Sequence, residues 1–256
     1  MKNYLKVITN IFLASISLSV LLGSLLRIVG PMNQSIKINR KVNIEDKSRR
    51  SIRKELSTRK SNLSLFYDNK FGRFKRLEKL INKWESTISK YPDLEISCFF
   101  ISLDNQVYAD IKSDIELPAA SSIKVPILIV LLTMLDRGEI AWNEELTLTE
   151  DTIGSGSGWM AYQKIGEKFP MFEVASEMIR VSDNTATNLL IKRLGGINII
   201  NQKFKEIGLK KTQINNFLPD LDGTNLTSTK DLSLAMARVD SGNLLNFSSR
   251  DIFREI

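Results

Sequence analysis

The stretch Ala119-Ala120-Ser121-Ser122-Ile123-Lys124, followed by an apolar run over residues 125–135, decides how this chain reads. An apolar run of that length predicts a buried helix. Ser121 and Lys124 stand three apart at its start. Positions i and i+3 share a helix face, so the lysine nitrogen can reach the serine oxygen. A serine hydroxyl is a poor nucleophile until a base takes its proton, and a lysine whose pKa falls on desolvation can be that base. The competing reading is a helix-capping serine beside a lysine that snorkels to solvent. The same S-x-x-K spacing recurs at Ser51 with Lys54 and at Ser57 with Lys60. Neither copy precedes an apolar run, so both read as accidents of a basic stretch.

A second motif, Ser182-Asp183-Asn184, falls between two helical runs, residues 172–181 and 185–194, the second closed by Gly195-Gly196. A serine and an asparagine two apart at such a bend can point the same way. The serine can relay a proton to a leaving group, and the asparagine amide can both donate and accept. Serine, aspartate and asparagine also favour ordinary capping turns, which is the alternative here.

Together the two motifs resemble those of the serine β-lactamase and penicillin-binding protein superfamily, in particular class A β-lactamases. Residues 178–190 are similar to that family's helix-bend-helix, and Gly156-Ser157-Gly158-Trp159-Met160 to its loop beside the site. Residues 96–103 and 107–111 are similar to its first two strands, and the resemblance runs from about Phe71 to Ile256. It implies an α/β (α+β) fold, a helical subdomain with an antiparallel sheet whose last strands are missing from the chain. It also implies roles. Ser121 would attack an amide or β-lactam carbonyl, Lys124 would accept its proton, Ser182 would pass a proton to the leaving nitrogen, and Asn184 would hold the acyl amide. The implied partner is a small-molecule β-lactam or a peptidoglycan peptide, bound by a monomer without cofactor or metal.

Two departures bear on activity. Where the family has a glutamate followed by proline, whose carboxylate holds the deacylating water, this chain reads Asn216-Phe217-Leu218-Pro219-Asp220-Leu221-Asp222. Leu218 takes the glutamate's place, with Pro219 fixing the register, and Asp222 falls where the family has an asparagine that contacts the water. A leucine cannot orient or deprotonate water, so poor deacylation is expected. The family's third motif, K-[ST]-G, is absent; Lys211-Thr212-Gln213 is the nearest match and is misplaced. The last residues read as the helix before the strand that would carry it. With that strand go the cation for the substrate carboxylate and the second oxyanion donor beside the Ser121 N–H. Loss of one such donor costs roughly a hundred- to a thousandfold in rate. The sheet that remains is expected to have two strands. Three readings therefore stand: a serine hydrolase or acyl-transferase that deacylates slowly, a penicillin-binding D-Ala-D-Ala carboxypeptidase-like protein, and a non-catalytic degenerate homologue.

Composition narrows the classes. Among 256 residues there is no histidine and one cysteine, and the formal charge is +7. The missing histidine excludes Ser-His-Asp catalysis and leaves too few good ligands for a zinc site. Cys98 cannot form an internal disulfide and is expected to fill the core of its strand. A helix near the start of the domain is expected to carry Phe74, Leu77, Leu80, Ile81 and Trp84. Lys2 and Lys6 precede an uncharged run over residues 7–26, bounded by Arg27, and about 20 apolar residues span a bilayer. Residues 1–31 are therefore expected as a membrane anchor, with a cleaved signal segment as the alternative. Residues 32–70, rich in lysine and arginine, read as a flexible linker, and residues 71–256 as the catalytic domain. Basic residues after the span oppose the positive-inside rule. The resemblance, whose substrates lie outside the membrane, places the domain on the extracytoplasmic side. No nucleic-acid reader motif or aromatic platform accompanies the basic charge.

Overall fold

In the computed structural model, which describes residues 74–256, the chain enters on a two-residue strand, β1 (Lys75–Arg76), and turns into helix α1 (Glu78–Ile88). The helix was expected to start earlier. Instead Phe74 and Leu77 lie outside it, because the edge of a later strand offers partners first. Lys75 N–H donates to Gln106 O at 2.8 Å and Leu77 N–H to Tyr108 O at 2.8 Å. Phe74 buries itself beside Leu234 in a small cluster with Phe99, Ile101, Leu103 and Tyr108.

Strands β2 (Cys98–Ser102) and β3 (Val107–Ile111) form the expected antiparallel hairpin, with Phe100 opposite Ala109. β1 pairs with β3 in parallel, so the order is β1-β3-β2. The sheet thus has three strands and is mixed, where two antiparallel strands were expected. Cys98 is a free thiol and only half-buried, and Phe100 is 42% exposed, so β2 is not sealed on both faces.

Strand β4 (Leu117–Pro118) leads into a 3₁₀ turn, Ala120–Ile123, which runs directly into α2 (Lys124–Asp136). The expected helix is therefore present, with Pro126 in its first turn, where a missing N–H costs nothing. Nearly every residue of α2 is buried, from Ile127 to Met134, and a helix that is apolar all round belongs in a core. β5 (Glu145–Thr147) pairs antiparallel with β6 (Lys168–Pro170). Then follow α3 (Met171–Arg180) and α4 (Asn184–Arg193), within a residue of the two expected helical runs, and α5 (Gly196–Glu206), which was not expected. Gly195 sits at φ +102°, in the left-handed region that ends α4. Strand β7 (Leu226–Thr227) pairs with β4, and α6 (Thr229–Asp240) and α7 (Phe247–Glu255) complete the described chain.

All five helices from α3 to α7 pack on α2, and α6 also packs on β2. The result is the expected α/β class, a helical layer around α2 and a sheet beyond α6. No helix among the described residues is long and apolar enough to cross a membrane. The span expected over residues 7–26 and the boundaries expected at 31 and 70 lie outside the described residues.

Candidate active site

The serine of the first motif is placed by two ties upstream of it. β4 is held by β7, and Ala119 N–H donates to Asn225 O at 2.7 Å. Ala120 then adopts φ +44°, which turns the chain into the 3₁₀ segment. In a 3₁₀ turn residues i and i+3 eclipse one another, so Ser121 and Lys124 fall on one side. The N-cap of this turn is Ala119, with no side-chain cap, and the Ser121 hydroxyl is free of capping duty. It lies 3.3 Å from Lys124 Nζ. Lys124 does not snorkel: it is 2% exposed.

The lysine is surrounded by acceptors from the second motif. Nζ donates to Ser182 O at 2.6 Å, to Ser182 Oγ at 2.9 Å and to Asn184 Oδ1 at 2.9 Å. Ser182 Oγ in turn donates to Ser121 Oγ at 2.9 Å. The structure therefore brings all four sequence-predicted residues, Ser121, Lys124, Ser182 and Asn184, into one hydrogen-bonded cluster. Burial pulls the Lys124 pKa down from 10.5 to about 8, against the opposing charge of Asp183. A neutral amine is thereby brought within reach of ordinary pH.

The bend between α3 and α4 shows why the motif has an aspartate at its centre. Asp183 caps α4, its Oδ1 accepting from Ala186 N–H at 2.9 Å. The capping alternative is thus correct for Asp183, and it leaves Ser182, at φ +59°, and Asn184 to face the lysine. The other oxygen, Oδ2, accepts from the N–H groups of Trp159 at 2.7 Å and Met160 at 2.9 Å. Gly158 is at φ +93°, and a Cβ there would stand 2.0 Å from Asp183 Oδ2. Only glycine permits that approach. Asn184 N–H donates to Ser157 O at 3.0 Å, and its side-chain Nδ2 donates to Ser155 O at 2.8 Å. Ser157 Oγ bonds Val181 O, and Trp159 Nε1 bonds Glu177 Oε2 at 2.7 Å. The loop at residues 154–160 is thereby fastened to the bend along its length. Sequence reasoning named this loop but not the fastening. The clue available was an aspartate at a helix start with a Gly-x-Gly stretch upstream.

With Oδ1 on Lys124 and Nδ2 on Ser155, the Asn184 amide keeps one lone pair and one N–H for anything further. Asn188, one turn along α4, was not anticipated at all. It grips the backbone of Leu218 at both ends: Leu218 N–H donates to Oδ1 at 2.8 Å, and Nδ2 donates to Leu218 O at 2.7 Å. The Leu218 side chain is buried. Two aspartates lie close by in sequence, Asp220 and Asp222. Asp220 accepts from Thr224 Oγ1 at 2.8 Å and Asn225 N–H at 2.6 Å, closing its own loop. Burial pushes its pKa up, but these bonds outweigh burial and hold it below the usual range. Asp222 is exposed. Lys211-Thr212-Gln213 takes no part in the cluster. The Thr212 hydroxyl bonds Thr227 and Asp231, and Lys211 pairs with Glu116 at 3.2 Å.

Comparison with known proteins places this geometry among relatives. The family model described as "Beta-lactamase enzyme family" matches residues 76–256. A β-lactamase of Bacillus licheniformis is 29% identical over 154 residues, which are 58% of this chain and 48% of the relative. β-Lactamase BRO-1 of Moraxella catarrhalis is 25% identical over 183 residues, 69% of this chain and 56% of the relative. The chain thus spans about half the length of these curated relatives. Among solved structures, PBP-A is 40% identical with a TM-score of 0.68, over 70% of this chain and 67% of that one. A leucine-to-glutamate mutant of PBP-A, in acyl-enzyme complex with penicillin G, matches equally well.

Proposed function

Because the chain belongs to the β-lactamase enzyme family, we propose that it is a serine acyl-transferring hydrolase acting on β-lactams or cell-wall peptides through an ester on Ser121. The observation that carries this reading is the triangle of Ser121 Oγ, Lys124 Nζ and Ser182 Oγ, each pair within hydrogen-bond reach. Ser121 Oγ attacks the carbonyl carbon as its proton leaves for neutral Lys124. Two paths exist, one direct at 3.3 Å and one through Ser182 with two bonds of 2.9 Å. The shorter links favour the relay. The developing oxyanion takes the Ser121 N–H as a donor, since N–H groups in the first turn of a helix lack intrahelical partners. When the tetrahedral intermediate collapses, the carbon–nitrogen bond breaks and the Ser182 hydroxyl protonates the leaving nitrogen. The Lys124 ammonium restores the Ser182 proton, so the site returns to its starting charge with the acyl group on Ser121. Asn184 holds Lys124 in place and offers its remaining N–H or lone pair to the acyl amide.

Release of the acyl group is the slow step in this reading. Leu218 is buried with an apolar side chain, and Asp220 is committed to its own loop. That observation favours a penicillin-binding, slow-release behaviour over efficient hydrolysis. The acyl-enzyme that PBP-A forms in its leucine-to-glutamate mutant supports an acylating serine in this chain as well. The uncharged run at residues 7–26 supports a further part of the proposal, a membrane-held protein with its domain on the outer side. The test is covalent labelling of the full-length gene product by a fluorescent penicillin. Ser121→Ala abolishes labelling, while Ser51→Ala and Ser57→Ala leave it intact. A labelled Ser121→Ala protein would mean that another nucleophile does the work.

A further inference from the structure

A recess of about 400 Å³ opens between α5 and the segment at residues 209–213, outside the Ser121 cluster. Asn198 and Lys205 reach it from one face of α5, and Lys210 and Lys211 line the opposite wall. Leu209 and Leu226 add apolar lining. Three ammoniums thus meet one carboxylate, Glu116, which is paired with Lys211 at 3.2 Å. Lys205 and Lys210 have no acidic partner among the described residues, and the Asn198 amide has no hydrogen-bond partner there.

We propose that this recess is a binding site for a phosphate-bearing ligand. Its volume is that of a small-molecule site. Like charges gathered round a concave wall repel one another and focus a positive potential into it, and a bound anion relieves that repulsion. The cations are all lysines. An ammonium is a point charge that suits a tetrahedral phosphate, whereas planar two-point recognition of a carboxylate calls for arginine, and the recess has none. The Asn198 amide supplies an uncharged donor beside them. The two leucines give the non-phosphate part of the ligand an apolar surface. This also gives a place to Lys211, the lysine of the near-match to K-[ST]-G, which the Ser121 cluster does not use.

The test is calorimetric titration of the full-length protein with inorganic pyrophosphate, run in parallel with a soluble glycerophosphodiester. Free phosphate as the natural ligand predicts a preference for the first, and a polymer or lipid phosphodiester a preference for the second. In either case Lys205→Gln with Lys210→Gln weakens binding about tenfold, from the loss of two exposed charge contacts. Lys79→Gln with Lys83→Gln, two exposed lysines of α1, changes it less than twofold. No detectable binding of either probe overturns the site. So does equal binding by the Lys205/Lys210 variant, which would assign the anion to another basic stretch of the chain.

Discussion

Acylation of Ser121 should accelerate as Lys124 loses its proton, and the burial of that lysine fixes where on the pH scale this happens. With the pKa drawn down to about 8, about one lysine in ten is neutral at pH 7, half at pH 8 and about nine in ten at pH 9. The acylation rate should therefore climb about fivefold from pH 7 to 8 and about tenfold by pH 9, then level off. An unperturbed lysine at 10.5 would instead give a rate still rising steeply at pH 9. The same displacement appears in folding stability. Below pH 8 the lysine is charged in both folded and unfolded chains, and the full cost of burying the charge stands. Between pH 8 and 10.5 the unfolded chain alone keeps the proton, so stability should rise by about 3 kcal/mol from this group. The measurement is single-turnover acylation by a fluorescent penicillin, followed by stopped flow across this range. Lys124→Arg, which stays charged throughout, serves as the companion. It should lose the pH rise and about a hundred- to ten-thousandfold in rate. A flat profile in the parent, or a Lys124→Arg protein within about threefold of it, would refute the assignment of Lys124 as the base.

Two further outcomes follow from the loops. On the proposed slow release of the acyl group, Leu218→Glu supplies a carboxylate as base, and should raise steady-state turnover of a chromogenic cephalosporin by up to about a hundred- to ten-thousandfold, with acylation changed only a few-fold. Rapid turnover by the leucine protein, seen as a burst-free progress curve, would show that another residue already activates water. Gly158→Ala drives a methyl into the Asp183 carboxylate at a positive φ, and should cost more than about 3 kcal/mol in urea unfolding. A loss under about 1 kcal/mol would mean that the loop moves aside cheaply.

The central helix and both motifs were legible because their signals are local. The run at 125–135 is too apolar to be anything but core, and Gly195 marks the end of α4 by its own conformation. What sequence reading missed depends on partners distant in the chain. β1 is two residues long and extended only because β3 offers it acceptors, so nothing in Lys75-Arg76 announces a strand. The helical spacing of Phe74 and Leu77 was real but was overridden by that edge. Cys98 read as core because its neighbours are apolar, yet the exposed Phe100 shows that β2 keeps an open side. Ser121, Lys124, Ser182 and Asn184, singled out by motif spacing, meet in one hydrogen-bonded cluster. The grip of Asn188 on Leu218 crosses thirty residues of chain and has no local signature.

The fastening of the loop at residues 154–160 sets the terms on which it can evolve. Most of its ties to the bend use main-chain atoms: Gly154 N, Ser155 O, Ser157 O, Trp159 N and Met160 N. Main-chain ties survive a change of side chain. Position 155 can therefore be rewritten without loosening the frame, whereas Trp159 also ties the loop through its indole to Glu177, and Gly154 and Gly158, wedged against Leu218 O and Asp183, admit no side chain. The border of the serine cluster is a surface whose chemistry is free to drift over a skeleton that is not, and a randomised library there should yield folded proteins that differ in what they admit.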